Sequence, residues 1–374
     1  MSEAEVVIVG GGPAGSSLAW SLVRRGVDVT VLDRAEFPRD KVCAGWITPQ
    51  VVRVLELDLA GYARGRVLQP IRAFDVGRIG GRSVRTRASR EPISWGIRRC
   101  EFDEHLLRRS GARLRLGEPL DAIERDGSGW RINGDLRARL VVGAGGNFCP
   151  VARMLRSGRD RGSVVVAQEI EFPLAAGDAC AVGPEIPRLD FCGDLRGYGW
   201  VFRKGDWLNV GLGREDPRGL AEHAAAYRAE LERRGAIPAG APARFRGHAY
   251  ALWGRGHRPL HADGVLLVGD AAGLAYPQSG EGIRPAVESG LLAADVIVEA
   301  AGDYRAARLA ALDERLARRL GPTRAVPQPG GWAVPPALKR SLAFGLLGRE
   351  WFARTVVIER WFLRAAEPAL ALAG

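Results

Sequence analysis

Gly10-Gly11-Gly12-Pro13-Ala14-Gly15 supplies the spacing GxGxxG between an apolar run, Val6 to Val9, and a helical stretch, Ser16 to Arg25. Glycine at the first position permits a tight turn, and at the second it lets the backbone approach a pyrophosphate. At the third it lets the helix pack on the strand. The free N–H groups and dipole of the helix N-terminus, beside Pro13 and Ala14, then hold the phosphates. Asp33, with Arg34 next to it, closes a second apolar run about 20 residues on, where an acid accepts hydrogen bonds from a ribose. Glycine-rich turns also occur for purely structural reasons. Here strand, helix and acid are all in place, and the segment reads as a dinucleotide-binding βαβ unit.

A late segment, Gly264 to Gly273, narrows the dinucleotide to FAD. Its buried strand ends in Gly269-Asp270, a carboxylate placed to accept from a ribityl hydroxyl or to lie beside the pyrophosphate. Gly280-Glu281-Gly282-Ile283 then opens a helix whose N-terminal amides can face the electron-rich N1/O2 edge of a flavin ring. Alone, this would read as an ordinary strand, turn and helix.

These residues need a scaffold. Val6 to Val9 suits a strand buried on both faces of a parallel sheet, and Val27 to Leu32 forms the next strand after Gly26 ends the helix. A polar loop runs from Arg34 to Pro49, followed by a helix from Gln50 through Leu57. Helical spacing covers Glu101 to Ser110 and Gly282 to Ala300. Strands are expected at Arg113 to Leu116, Leu140 to Val142 and Val265 to Val268, with a hairpin turning at Asp126 to Ser128. Residues 70 to 97 and 160 to 215 read as short strands and turns. The expectation is an α/β chain with a Rossmann-type FAD-binding domain made of residues 1–70, 98–158 and 255–303. A β-rich substrate domain, 71–97 and 159–254, is inserted in it, and 304–374 forms a helical tail with Pro322, Pro327, Pro329, Pro335 and Pro336 marking a loop.

Composition excludes several alternatives. The net charge of +11 is almost all arginine, scattered among acids rather than gathered into a block, so no nucleic-acid partner is expected. Cys43, Cys100, Cys149, Cys180 and Cys192 show no CxxC pair, which supports neither a zinc site nor a disulfide framework. The five histidines lack metal spacing and read as ordinary, so no metal is expected. A short polar leader without a secretory pattern, and no apolar run long enough to span a bilayer, point to a cytoplasmic protein. The stretch Leu342 to Leu363 is amphipathic and arginine-bearing. It reads either as core packing or as a peripheral membrane contact.

Over roughly residues 5 to 300 the chain resembles the FAD-dependent oxidoreductases of the para-hydroxybenzoate hydroxylase fold, and most closely the geranylgeranyl reductase family. Pro38-Arg39-Asp40-Lys41-Val42-Cys43-Ala44-Gly45 resembles that family's Pro-x-x-Lys-x-Cys-Gly-Gly loop. Arg99-Cys100-Glu101-Phe102-Asp103 resembles its Arg-x-x-Phe-Asp element, which implies that Arg99 touches the cofactor. Tyr198-Gly199-Trp200-Val201-Phe202, with Asn209-Val210-Gly211 after it, resembles its Tyr-x-Trp-x-Phe segment and following strand. The resemblance places the cysteine loop and the aromatic pair on opposite sides of a pocket over the flavin. Two departures stand out. The family's Gly-Ala-Asp-Gly is Gly143-Ala144-Gly145-Gly146 here, which keeps the backbone of Ala144 and Gly145 for the cofactor but loses the acid. Ala44 replaces a glycine.

The resemblance implies reduction of an isoprenoid carbon–carbon double bond by hydride from reduced flavin, on an apolar, lipid-like substrate. NAD(P)H or another reductant would meet the flavin transiently, since only one dinucleotide fingerprint exists. Cys43, Tyr198 and Trp200 are the candidate catalytic residues. Cys43 reads equally as a small buried hydrophobe. Arg99 and Asp103, four apart on a helix, also suit a surface pair. Tyr198 and Trp200 share a strand face that suits core as well as pocket. A flavin monooxygenase, a halogenase and a non-catalytic electron carrier remain alternatives, although the halogenase pattern Trp-x-Trp-x-Ile-Pro is absent.

Overall fold

The computed structural model describes residues 2–155, 164–175, 177–256, 258–322 and 336–371. Val6, Val7 and Ile8 are wholly buried because their strand, Ser2–Val9, lies between two others. It pairs in parallel with Leu136–Gly143 on one side and Val29–Asp33 on the other. Arg113–Leu116 and Val265–Leu267 extend the parallel set outward. A run apolar on both faces is what such a position selects. The hairpin of Ile123–Asp126 and Gly129–Ile132, and the short His261–Ala262, complete an eight-stranded sheet.

Two helices cover one face at the glycine turn. Pro13–Arg24 starts at Pro13, three residues before the sequence suggests, because proline suits the first helical position. It packs along Ile283–Ala300, where Gly290 lets the helix backbones meet at Ala14 and Leu18. A side chain at Gly290 would collide with Ala14. This is a Rossmann-type α/β arrangement with a helical C-terminal region.

A second sheet of seven strands runs in the order Arg246–Ala251, Val164–Pro173, Trp207–Arg214, Gly197–Lys204, Arg188–Phe191, Asp75–Arg78, Ser83–Arg85. A third, small sheet joins Trp46–Ile47, Ser94–Ile97 and Leu68–Ile71, so residues on both sides of the boundaries expected near 70 and 97 share it.

Local differences from the sequence reading have physical causes. The helix expected over 50–57 is Pro49–Val54, again begun by proline, with Leu59–Ala63 after it. The helix expected from Glu101 starts at Arg99. Leu220–Arg233, unanticipated, buries Leu220, Ala224, Tyr227 and Leu231 at helical spacing against the second sheet. In the tail, Ala311–Leu320 and Pro336–Leu347 are helices and Ala353–Phe362 is a π-helical stretch. The loop expected at Pro327, Pro329 and Pro335, and the boundary at 158, lie outside the described residues.

Candidate active site

Each glycine of the first motif has its own geometric reason. Gly10 takes φ +118°, and a Cβ there would stand 2.5 Å from the Ala144 backbone. Gly15 lies against the Gly10 carbonyl, which leaves no room for a side chain. A Cβ on Gly12, by contrast, would meet only the Arg39 guanidinium at 3.5 Å and would stand at the wall of an open cleft. Asp33 is buried and holds the turn: Oδ2 accepts from the Gly11 amide at 2.7 Å and Oδ1 from Ala35 at 2.9 Å.

The cleft encloses about 1130 Å³ of space open to solvent. One end is the helix N-terminus at Gly12–Ala14, facing the loop of Arg39, Lys41 and Cys43. The other end is apolar, walled by Trp46, Tyr198 and Trp200. Phe362 of the tail packs against two of these walls, edge-on to Tyr198 at 5.2 Å and 5.7 Å from Trp46. The Tyr198 hydroxyl donates to the Ser279 carbonyl at 2.5 Å, and burial pushes its pKa well above the usual range.

Charge is concentrated at the polar end. Arg99 donates twice to Asp103, at 2.8 and 2.9 Å, and Arg39 pairs with the same carboxylate at 3.2 Å. Asp103 is wholly buried and Arg99 nearly so; theirs is no surface pair. Lys41 Nζ lies 2.8 Å from His248 Nε2, which stands 3.3 Å from Asp270 Oδ2. Burial pushes Lys41 down to about 8 against the pull of Asp270, and burial likewise lowers His248. Burial raises Asp270, yet the His248 hydrogen bond and the Lys41 charge carry it below the ordinary carboxylate range. Glu281 is pushed up to about 7, chiefly by burial. Its one oxygen accepts from the Arg284 amide at 2.7 Å, while Oε2 has no hydrogen-bond partner.

Of the residues singled out from sequence, Gly12, Pro13, Ala14, Cys43, Ala44, Arg99, Ala144, Gly145, Tyr198, Trp200, Asp270, Gly280, Gly282 and Ile283 line this one cleft. Gly10, Gly15 and Asp33 stand behind its wall and shape the turn. Gly269, at φ +60°, packs against Ala14 and so brings the two distant motifs together. Arg34 is exposed outside the lining. Cys43 is half-buried and in the lining rather than in a core. Sequence reasoning missed His248, Tyr250 and Glu281. His248 and Tyr250 alternate on Arg246–Ala251 as Tyr198 and Trp200 do on their strand, and that alternation was the available signal. The reading of all five histidines as ordinary is corrected at His248. The open cradle at Gly12, the helix N-terminus and the facing cations Arg39, Lys41 and Arg99 could hold a dinucleotide diphosphate.

Residues 5–101 match the family described as FAD dependent oxidoreductase (DAO). A menaquinone reductase of Mycolicibacterium smegmatis is 31% identical, over 85% of this chain and 82% of that one. The geranylgeranyl diphosphate reductase of Rhodobacter capsulatus is 30% identical, over 78% of this chain and 74% of its own length. The chain belongs to the geranylgeranyl reductase family of FAD-dependent oxidoreductases. Among solved structures, a geranylgeranyl bacteriochlorophyll reductase-like protein of Thermoplasma acidophilum shares the fold, with TM-score 0.73, 20% identity, and coverage of 93% of this chain and 88% of that one. Membership of the geranylgeranyl reductase family accounts for a glycine turn and an Asp270 segment meeting at one cleft. No helix among the described residues is long and apolar enough to cross a membrane.

Proposed function

We propose that this enzyme reduces carbon–carbon double bonds of an isoprenoid, geranylgeranyl-type substrate. The observation that carries the reading is the two-ended cleft: a cationic, glycine-cradled end runs into an apolar end walled by Trp46, Tyr198 and Trp200, with Phe362 packed on Trp46 and Tyr198. FAD, when bound, supplies hydride for the alkene, and NAD(P)H or another reductant reloads it in a transient encounter. The Rossmann-type sheet with its two helices supplies the cofactor side, and the seven-stranded sheet, joined by Trp46 and Cys43, the substrate side.

Gly12 and Ala14 present N–H groups to the diphosphate at the helix start set by Pro13, with Arg39, Lys41 and Arg99 offsetting its charge. Asp270 accepts from a sugar-alcohol hydroxyl, held in place by His248. Trp200 and Tyr198 confine an apolar chain and exclude water, and Cys43 borders it from the facing loop. One proton must also reach the alkene, on the carbon next to the one that takes the hydride. Protic groups in the cleft include Cys43, Tyr198, Tyr250, His248, Lys41 and Glu281, and the Glu281 carboxyl holds its proton near neutrality. Leu338, Leu342 and Leu346 recur every four residues on the tail helix and are exposed, as is Trp351, with Arg340 and Arg349 alongside. That face supports a peripheral membrane contact, which suits a lipid substrate.

The test is a single-turnover experiment. FAD-loaded protein, chemically reduced under strict anaerobiosis, is mixed with geranylgeranyl diphosphate or with menaquinone. Flavin reoxidation with a saturated double bond in the product supports the reading. Incorporation of an oxygen atom into a tightly coupled substrate in air overturns it in favour of a monooxygenase.

A further inference from the structure

We propose that Asn209 is a positioning residue that couples the cysteine loop to the aromatic wall of the cleft. Asn209 is wholly buried, lies outside the cleft lining and sits mid-sheet on Trp207–Arg214. Its Oδ1 accepts from the Trp200 indole at 2.7 Å. Its Nδ2 donates to the Cys43 carbonyl at 3.3 Å and to Glu171 Oε2 at 3.1 Å. An indole N–H only donates, and a carbonyl or carboxylate only accepts. The partners therefore permit one orientation of the amide.

The loop end of this chain is seated on further polar groups. Lys204 is wholly buried and donates to Glu171 at 2.7 Å, and a Cβ on Gly45 would stand 2.6 Å from its Nζ. Arg98 pairs with the other oxygen of Glu171 at 3.3 Å. Glu169, two residues away on the same strand face, bonds the Cys43 backbone. The loop from Cys43 to Gly45 thus rests on a buried ionic cluster, and Asn209 ties it to Trp200 by hydrogen bonds. A buried amide that loses the indole donor keeps an unsatisfied oxygen, and that cost drives the amide to rearrange. Rearrangement would release the Cys43 carbonyl.

The proposal rests on Cys43 and Trp200 as two walls of one substrate cavity. Its test is independent of turnover, so its failure would leave the proposed reaction untouched. FAD-loaded protein is alkylated with iodoacetamide, and Cys43 is followed by peptide mapping with half-buried Cys180 as the internal reference. Trp200→Phe keeps a ring and removes the N–H; Asn209→Leu removes the whole amide. Each should speed Cys43 alkylation about threefold or more, and the effect of Trp200→Phe should vanish in the Asn209→Leu background. Asn209→Ser, too short to reach, replaces the leucine variant if that one does not fold. The proposal is overturned if Trp200→Phe leaves the Cys43 rate unchanged. It is equally overturned if its effect persists in full without Asn209, since the smaller ring would then be acting directly.

Discussion

The carboxylate of Asp33 accepts the amide hydrogen of Gly11 at 2.7 Å, so the acid that ends the second strand also fastens the glycine turn beside the first. Hydrogen bonds to a charged group contribute about 1.5–3 kcal/mol each. Asp33→Ala also removes the bond from Ala35, so it should lose at least about 1.5–3 kcal/mol of stability by urea unfolding even before FAD is added. A variant as stable as its parent would show that the turn holds itself.

Gly10 and Gly12 should fail in different ways. A side chain at Gly10 strikes the Ala144 backbone at an unfavourable positive φ, so Gly10→Val should not accumulate as folded protein. Gly12→Val should fold, because its Cβ meets only a movable arginine, and should purify without flavin. Circular dichroism and the yellow absorbance separate the two outcomes. A folded Gly12→Val protein with full flavin content contradicts the cradle.

Cys43 lines the cleft, and its backbone carbonyl is tied through Asn209 to Trp200 of the apolar wall. Cys43→Ser should keep the flavin spectrum and lose at least about tenfold in turnover, an amount a single misplaced contact can account for. Loss of flavin with activity per bound flavin unchanged would move Cys43 to the cofactor side.

Glu281 has a sharper signature in pH. Its folded pKa of about 7 lies above the ordinary glutamate value, with burial the main cause. Between those values the folded protein binds the extra proton, so stability falls as pH rises through that window and levels off above about 7. Glu281→Gln keeps an acceptor for the Arg284 amide and removes the titration. Its advantage over the parent should be near zero at about pH 4 and complete by about pH 8. An advantage equal at every pH would mean that burial does not set the shift.

Leu342 and Trp351 are each more than half exposed, at 57%. If this face meets lipid, replacing both with glutamate should weaken sedimentation with anionic vesicles at least about tenfold, since burying one such side chain is worth about 1.5–3 kcal/mol. Unchanged sedimentation would assign the contact elsewhere.

The meeting of the glycine turn with the Gly269-Asp270 segment at one cleft was legible because glycines at fixed spacing record close backbone approaches, here at Gly10, Gly15 and Gly269. His248, Tyr250 and Asn209 were not, because alternation along a strand says which residues share a face but not what that face meets. Asn209 in particular acts through partners at positions 43, 171 and 200, which only the folded sheet brings together. The spacing of Arg99 and Asp103 suits a surface pair as well as a cofactor contact, and their burial, with Arg39 paired to the same carboxylate, shows only in the fold.

The packing of Gly269 and Gly290 against Ala14 joins residues more than half the chain apart. During synthesis the glycine turn emerges early and waits, with the surface meant for the late helix uncovered. Contacts so remote in sequence are slow to form and leave that surface open to misassociation meanwhile. The helix Ile283–Ala300 must be made before the cradle has its second wall. Flavin capture is thus a late event in biogenesis, and a yellow polypeptide is one that has been synthesised at least through that helix.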